Sequence, residues 1–92
     1  MNYRLIFTES YTRRAIRFLR RHPEIRNQYG KILELMELNP FHPSLRLHRL
    51  QGRHKDLHSV SINISYRMTI LFILHDRTII PVDVGPHNVV YG

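Results

Sequence analysis

Three strand-like runs stand back to back in the second half of this 92-residue chain, separated only by short turns. That arrangement constrains the fold more than any other feature of the sequence. In "HSVSINI", Val60, Ile62 and Ile64 alternate with Ser59, Ser61 and Asn63, the period of a half-buried strand. "YRMTILFIL" is longer and becomes apolar on both faces. "HDR" reads as a turn, and "TIIPVDV" sets Ile80, Val82 and Val84 on one side. Pro81 cannot donate a ladder hydrogen bond, so an edge or a bulge is expected there. Three consecutive strands of this kind form a meander, and a meander needs cover on one face.

The first half of the chain supplies the cover. Residues 2–7, "NYRLIF", read as a short strand, and Thr8 or Ser10 can cap the helix that follows. Tyr11, Ala15, Phe18 and Leu19 fall on one apolar face, while Arg13, Arg14, Arg17, Arg20 and Arg21 occupy much of the rest. "RHP" ends the helix, because a residue before proline is pushed out of the helical region. A second helix is expected from Pro23, with Ile25, Tyr29, Ile32, Leu33 and Met36 as its stripe and Asn39-Pro40 as its stop. Residues 40–56 read as an irregular basic connection. The expected fold is therefore α+β over residues 1–92, in the order β-α-α-β-β-β. A helical hairpin packs on one face of a mainly antiparallel sheet. The other face carries Ser59, Ser61, Arg67 and Thr69 and is expected to be concave and wet, with "GPHNVVYG" leaving the sheet nearby.

Charge narrows the partners. Fourteen Lys+Arg against seven Asp+Glu give +7, and twelve of the fourteen are Arg. The guanidinium fork suits bidentate phosphate recognition better than an ammonium does. A polyanion is the implied partner, the alternative being a basic surface that only aids solubility. The sequence has no cysteine, which removes disulfides and thiolate metal sites. No apolar run has the length of a membrane span, and "MNYRLIF" lacks the pattern of a signal peptide, so a cytoplasmic protein without a membrane partner is expected.

Arg67 interrupts an otherwise apolar strand and needs either an open surface or a carboxylate such as Asp56 or Asp83. His87 can give or take a proton near neutral pH. Tyr91 is a core plug or a stacking platform for a base. His48, His54 and His58 have a loose spacing with no completing ligand, so no metal is assigned. Phosphate-cradling glycine loops, nucleophile elbows and zincin motifs are absent from the sequence. With few carboxylates and many His and Arg residues, the chemistry indicated is phosphate-ester cleavage of RNA. There the 2′-hydroxyl is the nucleophile, and neither metal nor cofactor is required.

The motifs "LHRLQGRHK", "HSVSINISYRMTILFI" and "DVGPHNVVYG" resemble the toxins of the RelE/ParE superfamily from bacterial toxin–antitoxin modules, over nearly the whole chain. "LHRLQGRHK" is similar to the H-x-L-Q-G-x-x-K of the RelE/YafQ-like branch, and the ending matches G-x-H-x-x-x-[YF]. The resemblance implies ribosome-dependent mRNA cleavage to a 2′,3′-cyclic phosphate and a 5′-hydroxyl. It implies an acidic cognate antitoxin, the ribosome and mRNA as partners. It assigns Arg67 to the scissile phosphate, His87 to protonation of the leaving oxygen and Tyr91 to the substrate. His48 matches a functional histidine of that branch, and Arg46, Arg49, Arg53, Lys55 and His58 are the implied RNA contacts. Ser61 and Ser65 stand where YafQ-like members carry a histidine and an aspartate, and the RelE lysine pair is missing. The general base is left open among His48, His54 and His58. The alternative function is that of a ParE-like gyrase inhibitor without nuclease chemistry.

Overall fold

Thr8 opens the first helix by accepting the Tyr11 N–H on its hydroxyl at 3.1 Å. In the computed structural model, which describes residues 2–51 and 56–86, the chain runs β1 (Arg4–Leu5), α1 (Glu9–Arg21), α2 (Arg26–Leu38), β2 (His48–Arg49), β3 (Leu57–Ser61), β4 (Tyr66–Ile73) and β5 (Thr78–Pro86). The sheet order is β1-β5-β4-β3-β2. β1 lies parallel to β5 and every other pair is antiparallel. The expected α+β arrangement of two helices on a mainly antiparallel sheet is present.

Two elements depart from expectation. The connection after α2 contains a short strand, β2, whose His48 and Arg49 pair with Ser59 and His58. Two residues carry no readable period; the ladder to β3 makes them a strand. Pro23–Ile25 form a 3₁₀ turn, so α2 begins later than the proline suggested. Of the edge or bulge expected at Pro81, the structure has a bulge: the β4–β5 register shifts between Thr69 and Ile70, where Thr69 opposes Asp83 but Ile70 opposes Pro81, leaving Val82 as the extra residue.

Tyr11 and Ala15 of α1, with Tyr29 and Met36 of α2, pack on Val60, Met68, Ile70, Ile79 and Val84 of the sheet. The two phenols meet inside this core, hydroxyl to hydroxyl at 2.8 Å, and each satisfies the other where water cannot. The hairpin between β3 and β4 corrects one reading. Ile64 is 94% exposed, outside any strand. The Asn63 carboxamide oxygen accepts the N–H groups of Ser65 and Tyr66 at 2.8 and 3.0 Å, which turns the chain early and ends the alternation. The uncovered face is also less wet than expected, because Ser59 and Thr69 are both buried. They are short side chains on central strands, among longer neighbours such as Arg67, Leu71 and His48 in the ladder.

Candidate active site

Register brings the site together. His48 of β2 lies opposite Ser59 of β3, and Ser61 lies opposite Arg67 of β4. Two strand spacings, roughly 10 Å, separate β2 from β4. The long Arg67 side chain crosses that gap, and its Nη1–H points at Nε2 of His48 at 3.5 Å. The serines of β3 leave room for it.

The hydrogen bonds fix which histidine nitrogen carries the proton. His48 Nδ1 lies 2.9 Å from the carbonyl oxygen of Arg46, an acceptor only, so Nδ1–H donates there. Arginine cannot accept, so Nε2 presents a lone pair toward Arg67. The Arg46 carbonyl is aimed by backbone in the left-handed region, with φ 50° and ψ 44°. A non-glycine residue held there stores strain, and such strain collects where geometry is used. An imidazole whose Nε2 faces a guanidinium sets a proton acceptor next to an anion holder.

The other expected residues fall in different places. His58 is in register with Ile70, on the face opposite His48 and Arg67. Its Nδ1 bonds the Asp56 carbonyl at 3.1 Å and its ring meets Phe72 edge-on at 5.4 Å. It borders a cavity of about 550 Å³ with Phe41, Leu47 and Arg49, at the sheet edge where His48 also contributes to the lining. Arg46 and Arg49 are exposed at the β2 edge. Asp83, one of the carboxylates considered for Arg67, faces Arg14 at 3.8 Å. His54, Arg53, Lys55, His87 and Tyr91 lie outside the described residues. Among the described residues, no three His, Asp or Glu side chains are grouped to hold a metal ion, and no helix is long and apolar enough to cross a membrane. Sequence reading missed the Arg46 carbonyl, whose role depends on a backbone angle that an arginine gives no reason to expect.

The same fold recurs in solved structures. The Escherichia coli DinJ–YafQ toxin–antitoxin complex contains a chain that superposes with a TM-score of 0.78 at 15% identity, covering 100% of both chains. The fold is that of the RelE/ParE toxins. A YoeB/ParE toxin from Agrobacterium tumefaciens matches with a TM-score of 0.67 at 15% identity, over 91% of this chain and 98% of that one. The RelBE2 toxin–antitoxin complex from Mycobacterium tuberculosis matches with a TM-score of 0.64 at 16% identity, over 95% of this chain and 100% of that one. No family model and no curated protein matches the sequence. In this RelE/ParE-type fold, Arg67 and His48 sit on the sheet face away from the helix-packed core residues Met68 and Ile70.

Proposed function

We propose that this chain is the toxin of a toxin–antitoxin module and cleaves mRNA on the ribosome. The observation that carries the reading is the Arg67–His48 pair, with Nδ1 of His48 on the Arg46 carbonyl and Nε2 facing the guanidinium. His48 takes the proton of a ribose 2′-hydroxyl through Nε2. The 2′-oxygen attacks the adjacent phosphorus, and the Arg67 guanidinium stabilises the charge that builds on the non-bridging oxygens. The bond from phosphorus to the 5′-oxygen breaks, and that oxygen needs a proton. His87 supplies it and Tyr91 orients the substrate. The products are a 2′,3′-cyclic phosphate and a 5′-hydroxyl. Arg46, Arg53 and Lys55 supply further RNA contacts, and Arg49 and His58, paired on the opposite sheet face, contact RNA away from this centre.

An acidic cognate antitoxin neutralises the toxin, a partnership in keeping with the +7 charge and with the complexes formed by the DinJ–YafQ and RelBE2 proteins. Cell-free translation with and without the purified protein, followed by primer extension on the message, tests the proposal. Arrested translation with new 5′ ends inside codons is expected. Intact message together with inhibited gyrase supercoiling would assign the chain to the ParE-like activity instead.

A further inference from the structure

α1 and the end of β5 enclose a groove of about 400 Å³, lined by Arg14, Arg17, Phe18, Arg21 and His22 and by residues 83–86. The Asp83 carboxylate lies 3.8 Å from Arg14, which leaves Arg17 and Arg21 as the further cations. Arg17 and Arg21 stand one turn apart, both exposed. Like charges at that spacing repel, and an anion between them relieves the repulsion. The ring at the groove wall is held in place. His22 packs 4.7 Å from Phe18 and 4.8 Å from Tyr66, and its Nδ1 meets the Tyr66 hydroxyl at 3.1 Å. Nδ1 also faces Glu24 at 3.6 Å, so Nε2 is the nitrogen left to meet a ligand.

Two classes of partner suit a basic groove beside a sheet edge: an extended acidic peptide and a single strand of nucleic acid. Among the described residues, β1 pairs only with Thr78 and Ile79, so the later part of β5 is an edge. Two of its backbone groups are already used. The Val82 carbonyl accepts from Arg14 Nη2 at 2.8 Å, and the Val84 N–H donates to the Asp83 carboxylate at 2.9 Å. A peptide strand would have to break both bonds before it could pair. Rings interleaved with guanidiniums are instead the arrangement that holds unpaired nucleotides, with bases on the rings and phosphates on the cations. Gly85, which has no side chain to obstruct a passing strand, is in register with Arg67. The groove thus reaches the β5 backbone paired with Arg67, from the helix side of the sheet and not from the face that carries the Arg67–His48 pair.

We propose that this groove binds one nucleotide of single-stranded RNA outside the cleavage centre, its base against His22 and its phosphate between Arg17 and Arg21. The inference rests on the nuclease reading above. The test uses fluorescence anisotropy with a labelled 2′-O-methyl hexanucleotide, which has no free 2′-hydroxyl to react, and with the same oligomer carrying abasic central positions. The wild type is expected to prefer the intact oligomer by about tenfold. His22→Ala loses that preference, His22→Phe keeps it, and Arg17→Gln weakens both oligomers alike, with thermal melts confirming that each variant folds. Undetectable binding by the wild type, or a folded His22→Ala protein that still prefers the intact oligomer, would overturn the inference. A poly-glutamate peptide whose binding alone depends on His22 would also overturn it, in favour of a protein partner. Cleavage on programmed ribosomes, measured in parallel, separates the two levels. Cleaving wild type with His22-independent binding removes the groove and keeps the nuclease, whereas wild type that never cleaves removes the nuclease reading itself.

Discussion

The guanidinium of Arg67 on β4 passes over β3 and ends 3.5 Å from Nε2 of His48 on β2. A histidine on a two-residue strand at the sheet edge is thus coupled to a side chain two strands away. The contact sets a candidate proton acceptor beside a candidate anion holder.

A positioned general base contributes about 10²–10⁴ in rate. His48→Ala is expected to lose roughly that factor in single-turnover cleavage on programmed ribosomes. His48 is exposed, so its thermal melt should stay close to that of the wild type. Wild-type cleavage by His48→Ala would remove the histidine from the base role.

Arg67→Lys tests the form of the charge rather than its sign. Lysine lacks the planar fork that meets two phosphate oxygens at once, so partial activity is expected, above Arg67→Ala and below wild type. The same single-turnover measurement ranks the three proteins, and a lysine variant as fast as wild type would show that bidentate geometry is unused.

His87 and Tyr91 are expected to complete the chemistry. His87→Ala should lose about 10²–10⁴ in rate, as for removal of a general acid, and Tyr91→Ala less. Both proteins should still bind ribosomes. A substrate whose leaving 5′-oxygen is replaced by sulfur needs little protonation, so it should restore His87→Ala and leave His48→Ala slow. Equal rescue of both would contradict the division of roles.

The buried phenol pair ties stability to alkaline pH. Burial, and then the neighbouring Tyr29, push the Tyr11 phenol far above its ordinary value of 10.0, and burial raises Tyr29 as well. Above about pH 10 the unfolded chain releases protons that the folded chain keeps, so stability is complete below that pH and falls as pH rises. Tyr29→Phe leaves the Tyr11 hydroxyl buried without its partner and is expected to cost about 1–3 kcal/mol. The double Phe variant should recover much of that loss and also lose the alkaline sensitivity. Urea titrations at neutral and alkaline pH measure both effects.

Electrostatics should also appear in antitoxin binding. With a net charge of +7, affinity for an acidic antitoxin should fall as salt rises from low to moderate concentration. Calorimetry across a salt series is the check, and an affinity indifferent to salt would show that the charge serves another partner.

Elements whose signals are local and repeated were legible in the chain before it folded. The apolar stripes of α1 and α2, a cap at Thr8 or Ser10, the proline stop after Arg21 and an edge or bulge at Pro81 follow from periodicity, capping and a missing N–H, and the structure selects Thr8 and the bulge. The sequence also singled out Arg67 as a charge in an apolar strand and His48 within a motif. What tertiary structure decided was adjacency. His48 and His58 are equally good bases on paper, but they project from opposite faces of one sheet, and only the β2–β3–β4 register shows which of them meets Arg67. The Arg46 carbonyl that sets the His48 tautomer depends on a left-handed φ that its side chain does not signal. His22 looked like a helix ending, and became the wall of a groove because Phe18 lies one turn before it and Tyr66 reaches it from the sheet. Period and capping are properties of neighbours in the chain. A site is made of residues far apart in sequence, and only pairing and packing bring them within reach of one another.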